Sequence, residues 1–249
     1  MKTKNIKKVS AIITLFIFVF SVLLNLLLAL NLKKYYFLLY AVELDPLGLS
    51  QFQNSEHQPA QQPVVVFFGD SRAAQWPNPA LDGYTFINRG IGNQTSSQVA
   101  NRFDAHVKPL EPNVVIVQFC INDLKTIPLF PGKKQEIILN CKTNIQKTIQ
   151  DSLEIEAFVI VTTVFPPIEK VPLARQIVWS DEIYKAVDEV NTFILSLSNE
   201  KVFIFDAATI LSNSEGKTRP EYSYDLLHLN DGGYRALNLE LVKVIERIK

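Results

Sequence analysis

Residues 64–72 read VVVFFGDSR: five consecutive β-branched or aromatic residues, then glycine, aspartate and serine. A run this short and this uniformly apolar fits a parallel strand covered on both faces, and the Gly-Asp-Ser fits the turn into a helix. Working outward, the pattern recurs. Thr85–Asn88, Val114–Phe119, Ala157–Thr162 and Val202–Phe205 are further strand candidates. Between and after them lie amphipathic stretches near Ser96–Val107, Lys133–Ser152, Asp181–Leu197 and Gly232–Ile248. Strands alternating with helices imply right-handed crossovers, hence an α/β fold: a three-layer α/β/α sandwich around a mostly parallel five-stranded sheet. Sites in such sheets form at the C-terminal strand ends, near the switch point of strand order.

Upstream of this domain, residues 11–32 (AIITLFIFVFSVLLNLLLALNL) carry no charge. At about 1.5 Å per residue they match a hydrocarbon core of about 30 Å and predict a transmembrane signal-anchor helix. A cleaved signal peptide is the rival reading, but its apolar region would span about 7–15 residues and end in a small-x-small site, which is absent before Lys33. Four lysines precede the span and two follow it, so residues 1–10 are expected in the cytoplasm and the remainder outside, in the periplasm or at the cell surface. Residues 33–62 read as a juxtamembrane segment and polar stem, with Tyr35–Phe52 an interfacial helix or a strap onto the domain and Gln53–Gln62 flexible. The folded domain is expected over 63–249.

The formal net charge is zero, yet positions 35–249 hold 19 basic against 25 acidic residues, a net of −6. With no basic run there, nucleic acid is not an expected partner. Two cysteines, Cys120 and Cys141, are too few for a disulfide scaffold or a four-ligand zinc site; they could pair or remain buried thiols. Three histidines make a histidine-rich metal site unexpected, so no metal and no cofactor is anticipated.

The first three strand ends, and the polar loop before the last helix, each carry a block of candidate residues. Ser71 would sit at a strand-to-helix turn, its hydroxyl beside free backbone N–H groups, an environment that favours an attacking alkoxide; an N-cap serine is the plain alternative. After the second strand comes Asn88-Arg89-Gly90-Ile91-Gly92-Asn93-Gln94-Thr95, and after the third Cys120-Ile121-Asn122-Asp123. The Asn122 amide could donate to developing negative charge, or cap a helix. Before the last helix, Asp225 precedes His228 by three residues, near enough for a carboxylate to orient an imidazole acting as a base. His57 lies in the stem and His106 in a helix, where solvated or structural roles are the simpler expectation.

These four blocks in this order, with HLNDGGY at 228–234, resemble the GDSL or SGNH esterase/lipase family over Val64 to Leu237. The resemblance implies a flavodoxin-like sandwich and ester hydrolysis through a Ser-His-Asp triad and an acyl-enzyme, without metal. Carried over by position, Ser71 is the nucleophile, His228 the general base and Asp225 its partner. The oxyanion donors are the Ser71 N–H, the Asn93 N–H (with Gly92 as the alternative) and the Asn122 amide. Two positions depart from the family pattern: Asn93 stands at the usual oxyanion glycine, and Cys120 where the third block usually begins with glycine. Arg72 replaces the usual leucine and suggests an anionic or polar substrate.

The expected activity is cleavage of short acyl esters, such as acetyl, on a cell-envelope glycan or lipid. Two alternatives share the fold: an acyltransferase using the same serine on a surface polysaccharide, and a degenerate, glycan-binding member. A thiol nucleophile at Cys120 is a narrower fourth option.

Overall fold

The computed structural model describes residues 2–53 and 62–248, with the side chains of residues 2–7 excepted; His57 and most of the expected stem lie outside the described residues. The chain forms two compact units, Met1–Pro46 and Leu47–Lys249.

The first unit is one helix, α1 (Lys2–Leu44). It runs 12 residues past the expected end of the span because neither glycine nor proline interrupts it before Pro46. Within it, Lys8–Leu44 is long and apolar enough to cross a membrane.

The second unit contains, in order, β1 (Val64–Gly69), α2 (Ser71–Ala74), β2 (Thr85–Gly90), α3 (Ser96–Asn101), α4 (Phe103–His106), β3 (Val114–Gln118), α5 (Ile121–Leu124), α6 (Lys134–Glu154), β4 (Phe158–Thr162), α7 (Glu182–Leu195), β5 (Val202–Phe205), α8 (Ala207–Leu211) and α9 (Asp231–Ile245). All five strands are parallel, in the order β2-β1-β3-β4-β5. Connections leaving β1 and β3 run to opposite sides, so the switch point lies between these two strands.

The strands are apolar at consecutive positions because each covers two cores. Val64, Val66, Phe68, Val115, Val117, Val159 and Val161 face Val99 of α3, Ile145 of α6 and Val187 of α7. The alternate set, including Val65, Phe67, Ile116 and Ile160, meets Trp76 and Leu237, Leu241 and Ile245 of α9. This period-two division is what a doubly covered parallel sheet requires.

Most other boundaries move by only a residue or two, but three differences bear on the site. β2 continues to Gly90 because Arg89 and Gly90 still pair with Phe68 and Gly69. The helix expected over Ser96–Val107 breaks at Arg102 (φ −105°, ψ 8°), whose side chain turns inward. The segment Leu47–Phe52, assigned from the sequence to the juxtamembrane region, belongs to the second unit. It forms a 3-10 turn over Leu49–Phe52, Leu47 O accepts from Gln94 Nε2 at 2.8 Å, and the Phe52 ring meets His106 edge-on.

At the switch point the backbones approach closely. A Cβ at Gly69 would lie 1.7 Å from Gln118 O on the neighbouring strand. Neither strand can retreat without breaking the ladder, so Gly69→Ala should cost at least about 3 kcal/mol. Gly132, with open space around its Cβ position, is the control; Gly132→Ala should stay within about 0.5 kcal/mol of the parent in urea unfolding.

Candidate active site

Ser71 opens α2 directly after β1. Asp70 caps that helix, its Oδ1 accepting from Arg72 N at 2.9 Å. The first N–H groups of a helix have no partner inside it, and among the described residues the Ser71 N–H donates no hydrogen bond. Ser71 Oγ lies 2.9 Å from His228 Nε2. On the other side of the ring, His228 Nδ1 lies 2.9 Å and 3.0 Å from the two carboxylate oxygens of Asp225.

Asp225 is set by its own turn: its Oδ1 also accepts from Leu227 N at 2.8 Å and His228 N at 2.7 Å. Such a turn suits aspartate, whose short side chain reaches backbone N–H groups two and three residues on. Partial burial works against the Asp225 charge, but the bonds from the His228 ring and the two N–H groups outweigh it and hold the carboxyl below its usual range. Asn230 then caps α9, accepting from Gly232 N and Gly233 N.

Across the switch point, Asn122 is buried. Its Nδ2 donates to Gln94 O at 2.9 Å, and its Oδ1 accepts from Lys125 Nζ at 2.6 Å. These two bonds leave the second amide hydrogen. Asn93 adopts a left-handed backbone (φ 63°), which asparagine tolerates better than most residues, and among the described residues its N–H donates no hydrogen bond. Gly92 lies against Ser71, its Cβ position 4.0 Å from the serine Cβ. Asn93, Lys125, Arg175, Trp179, Asp225 and His228 line a common cleft of ≈ 320 Å³.

Cys120 holds the left-handed backbone (φ 101°) that makes glycine the usual residue there. It is fully buried, and burial drives its thiol pKa well up, which opposes the thiolate that a nucleophile needs. Cys120 and Cys141 are both buried free thiols.

Arg72 departs from the sequence expectation. It is fully buried and does not line the cleft; instead Nε donates to Leu227 O at 2.9 Å and Nη1 to Phe165 O at 2.6 Å. It thus ties the serine's helix to the loop that carries His228. Tyr234 OH of α9 adds a bond to Arg72 O.

Arg102, Gln94 and Lys125 were not singled out from the sequence. Arg102 is fully buried and donates to Gly69 O, Arg89 O and Gln94 Oε1, joining the ends of β1 and β2 to the Asn93 loop. The one local hint is a cation inside an apolar pattern, Val99 and Phe103 flanking Arg102. His106 packs with Arg102 and Phe52, away from the cleft.

The profile of the GDSL-like lipase/acylhydrolase family matches residues 66–236. Among solved structures, a GDSL-like lipase from Bacteroides thetaiotaomicron superposes with a TM-score of 0.64 at 22% identity, covering 82% of this chain and 99% of that one. A protein described as a putative platelet activating factor from Streptococcus pneumonia gives 0.64 at 21% identity, over 89% and 99%. A carbohydrate acetylesterase from Sinorhizobium meliloti gives 0.60 at 18% identity, over 76% and 100%. No curated protein sequence matches the chain.

Two measurements probe the buried charges. Arg72→Met leaves the buried Phe165 carbonyl and the part-buried Leu227 carbonyl without their donor and should cost about 3 kcal/mol in urea unfolding. Asp70 is fully buried, with Oδ2 unbonded, and burial raises its pKa from 3.8 to about 6 against the pull of Arg72. A raised carboxyl contributes stability that is full below its unfolded pKa and is lost as pH rises through the folded value. Asp70→Asn should therefore flatten the fall in stability between about pH 4 and about pH 6, compared with the parent.

Proposed function

The chain belongs to the GDSL-like lipase/acylhydrolase family and is an ester hydrolase; from that premise we propose that it removes short acyl groups, such as acetyl, from a cell-envelope glycan or lipid, with Ser71, His228 and Asp225 as its triad. The observation that carries this reading is the 2.9 Å contact between Ser71 Oγ and His228 Nε2, with Asp225 bonded to the opposite ring nitrogen.

In this mechanism Ser71 Oγ bonds to the ester carbonyl carbon while His228 Nε2 takes the hydroxyl proton. Asp225 orients the ring and stabilises the imidazolium. The carbonyl oxygen, now negative, is held by the Ser71 and Asn93 N–H groups and by the free hydrogen of the Asn122 amide. Collapse breaks the bond to the alcohol, which leaves with the proton from His228. Water, deprotonated by the same imidazole, then releases the acid and restores Ser71.

A short acyl group suits a cleft of ≈ 320 Å³, and the similar fold of the Sinorhizobium carbohydrate acetylesterase supports a glycan as the acylated partner. The apolar helix α1 supports a membrane anchor, with the lysine bias placing the N-terminus in the cytoplasm and the catalytic unit outside.

The test is intact mass after exposure to a fluorophosphonate. One adduct is expected on the parent and none on Ser71→Ala, which should also lower acetyl-ester turnover at least about 10⁴-fold. An unlabelled but folded parent would refute the serine mechanism. His228→Ala should abolish the adduct as well, because the serine then has no base beside it; undiminished labelling of that variant would remove His228 from the role of base.

A further inference from the structure

The active-site cleft has a charge that the proposed hydrolysis does not use. Lys125 and Arg175 both line it, together with Asn93 and His228. Among the described residues neither cation forms an ion pair. Lys125 Nζ donates to Asn122 Oδ1, which leaves two of its three hydrogens uncommitted. Arg175 is exposed on the 3-10 turn Leu173–Val178 that forms one wall. Asp225 is the single carboxylate on the cleft lining, and it is already bonded to the imidazole and two N–H groups. Two cations therefore face the cleft of a unit whose positions 47–249 carry 19 basic against 23 acidic residues, a net charge of −4.

Such an arrangement has an energetic asymmetry. Burial lowers the Lys125 pKa, and the like charges of Arg175 and Arg72 lower it further, against the pull of Asp70 and Asp123. The opposite charge of an anion in the cleft would offset both the cost of desolvating the ammonium and the mutual repulsion. A planar guanidinium forks onto two oxygens of a carboxylate or phosphate, while an ammonium acts as a point charge beside it.

We propose that Lys125 and Arg175 form an anion subsite, so that the preferred substrate is an ester whose alcohol portion carries a carboxylate or phosphate close to the scissile bond. The anion belongs to the alcohol portion because a short acyl group such as acetyl carries no charge. The half-buried indole of Trp179 lines the same cleft and supplies a flat apolar wall beside the two cations. This inference rests on the ester-hydrolase reading of the cleft and names its substrate class.

Three matched probes test it on the full chain: an acetylated methyl glucuronoside, an acetylated glucose 6-phosphate and an acetylated methyl glucoside. The parent should show kcat/KM roughly tenfold higher for at least one anionic ester than for the neutral one, expressed mainly in KM. The anion preferred identifies the group. Arg175→Gln should reduce that preference to about threefold or less, and Arg175→Lys should restore much of it. Raising salt from about 0.05 M to about 0.5 M should also compress the ratio. Equal or better turnover of the neutral ester, or a preference untouched by Arg175→Gln, would overturn the subsite while leaving the hydrolase intact. If Ser71 is labelled by a neutral fluorophosphonate but none of the three esters turns over, glucuronate or glucose 6-phosphate must slow labelling more than glucose; equal protection overturns the subsite. Failure of Ser71 to label overturns the serine mechanism and the subsite together.

Discussion

The guanidinium of Arg72 is the interaction on which the geometry of the cleft depends. It sits on the same short helix as Ser71, is fully buried, and donates to the carbonyls of Phe165 and Leu227. The second carbonyl belongs to the residue immediately before His228. One side chain thus sets the distance between a serine after the first strand and a histidine 157 positions later. Burying a charge is costly, and burial lowers the Arg72 pKa to about 10, against the favourable pull of Asp70. The fold offsets that cost with carbonyl acceptors and with the Phe165 ring, whose centroid lies 5.2 Å from the guanidinium carbon.

A second buried guanidinium organises the facing wall. Arg102 gathers the carbonyls at the ends of β1 and β2 and the side chain of Gln94, and it stacks over Phe68. Gln94 is the junction: its carbonyl takes the Asn122 amide, its side-chain oxygen takes Arg102, and its amide reaches Leu47 O. The segment that begins the second unit is therefore part of the support for the Asn93 loop. These contacts hold the proposed oxyanion donors without placing a charged group among them, apart from Lys125.

Much of this was legible in the chain. Uninterrupted apolar runs such as Val64–Phe68 and Val202–Phe205 mark covered parallel strands, since a strand buried on both faces has no polar position to alternate with. Three of the four polar blocks, after β1, β2 and β3, were legible for the same topological reason: the sheet places every strand's C-terminal end at one edge; the fourth, in the loop before α9, was legible from the spacing of Asp225 and His228. Ser71 and Asp225 are each brought within bonding distance of His228, on opposite sides of its ring, and Asn93 and Asn122 lie at the adjoining loop ends. Even the oddity at Asn93 was readable, because asparagine at a glycine position signals a left-handed backbone.

What the sequence determined by itself is local: hydrophobic period, turn chemistry, the long apolar helix and the order of the reactive side chains. These depend on interactions between residues a few positions apart. What only the tertiary structure decided is the destination of the long cations. Arg72 reads as a surface charge that could meet a substrate, yet it is fully buried as a brace; Arg102 breaks an otherwise continuous helix to reach carbonyls on two strands. Lys125 and Arg175, 50 positions apart, line one cleft. A flexible cationic side chain reaches several ångströms in any direction, so its partners depend on the packed positions of distant backbone. No local pattern carries that information.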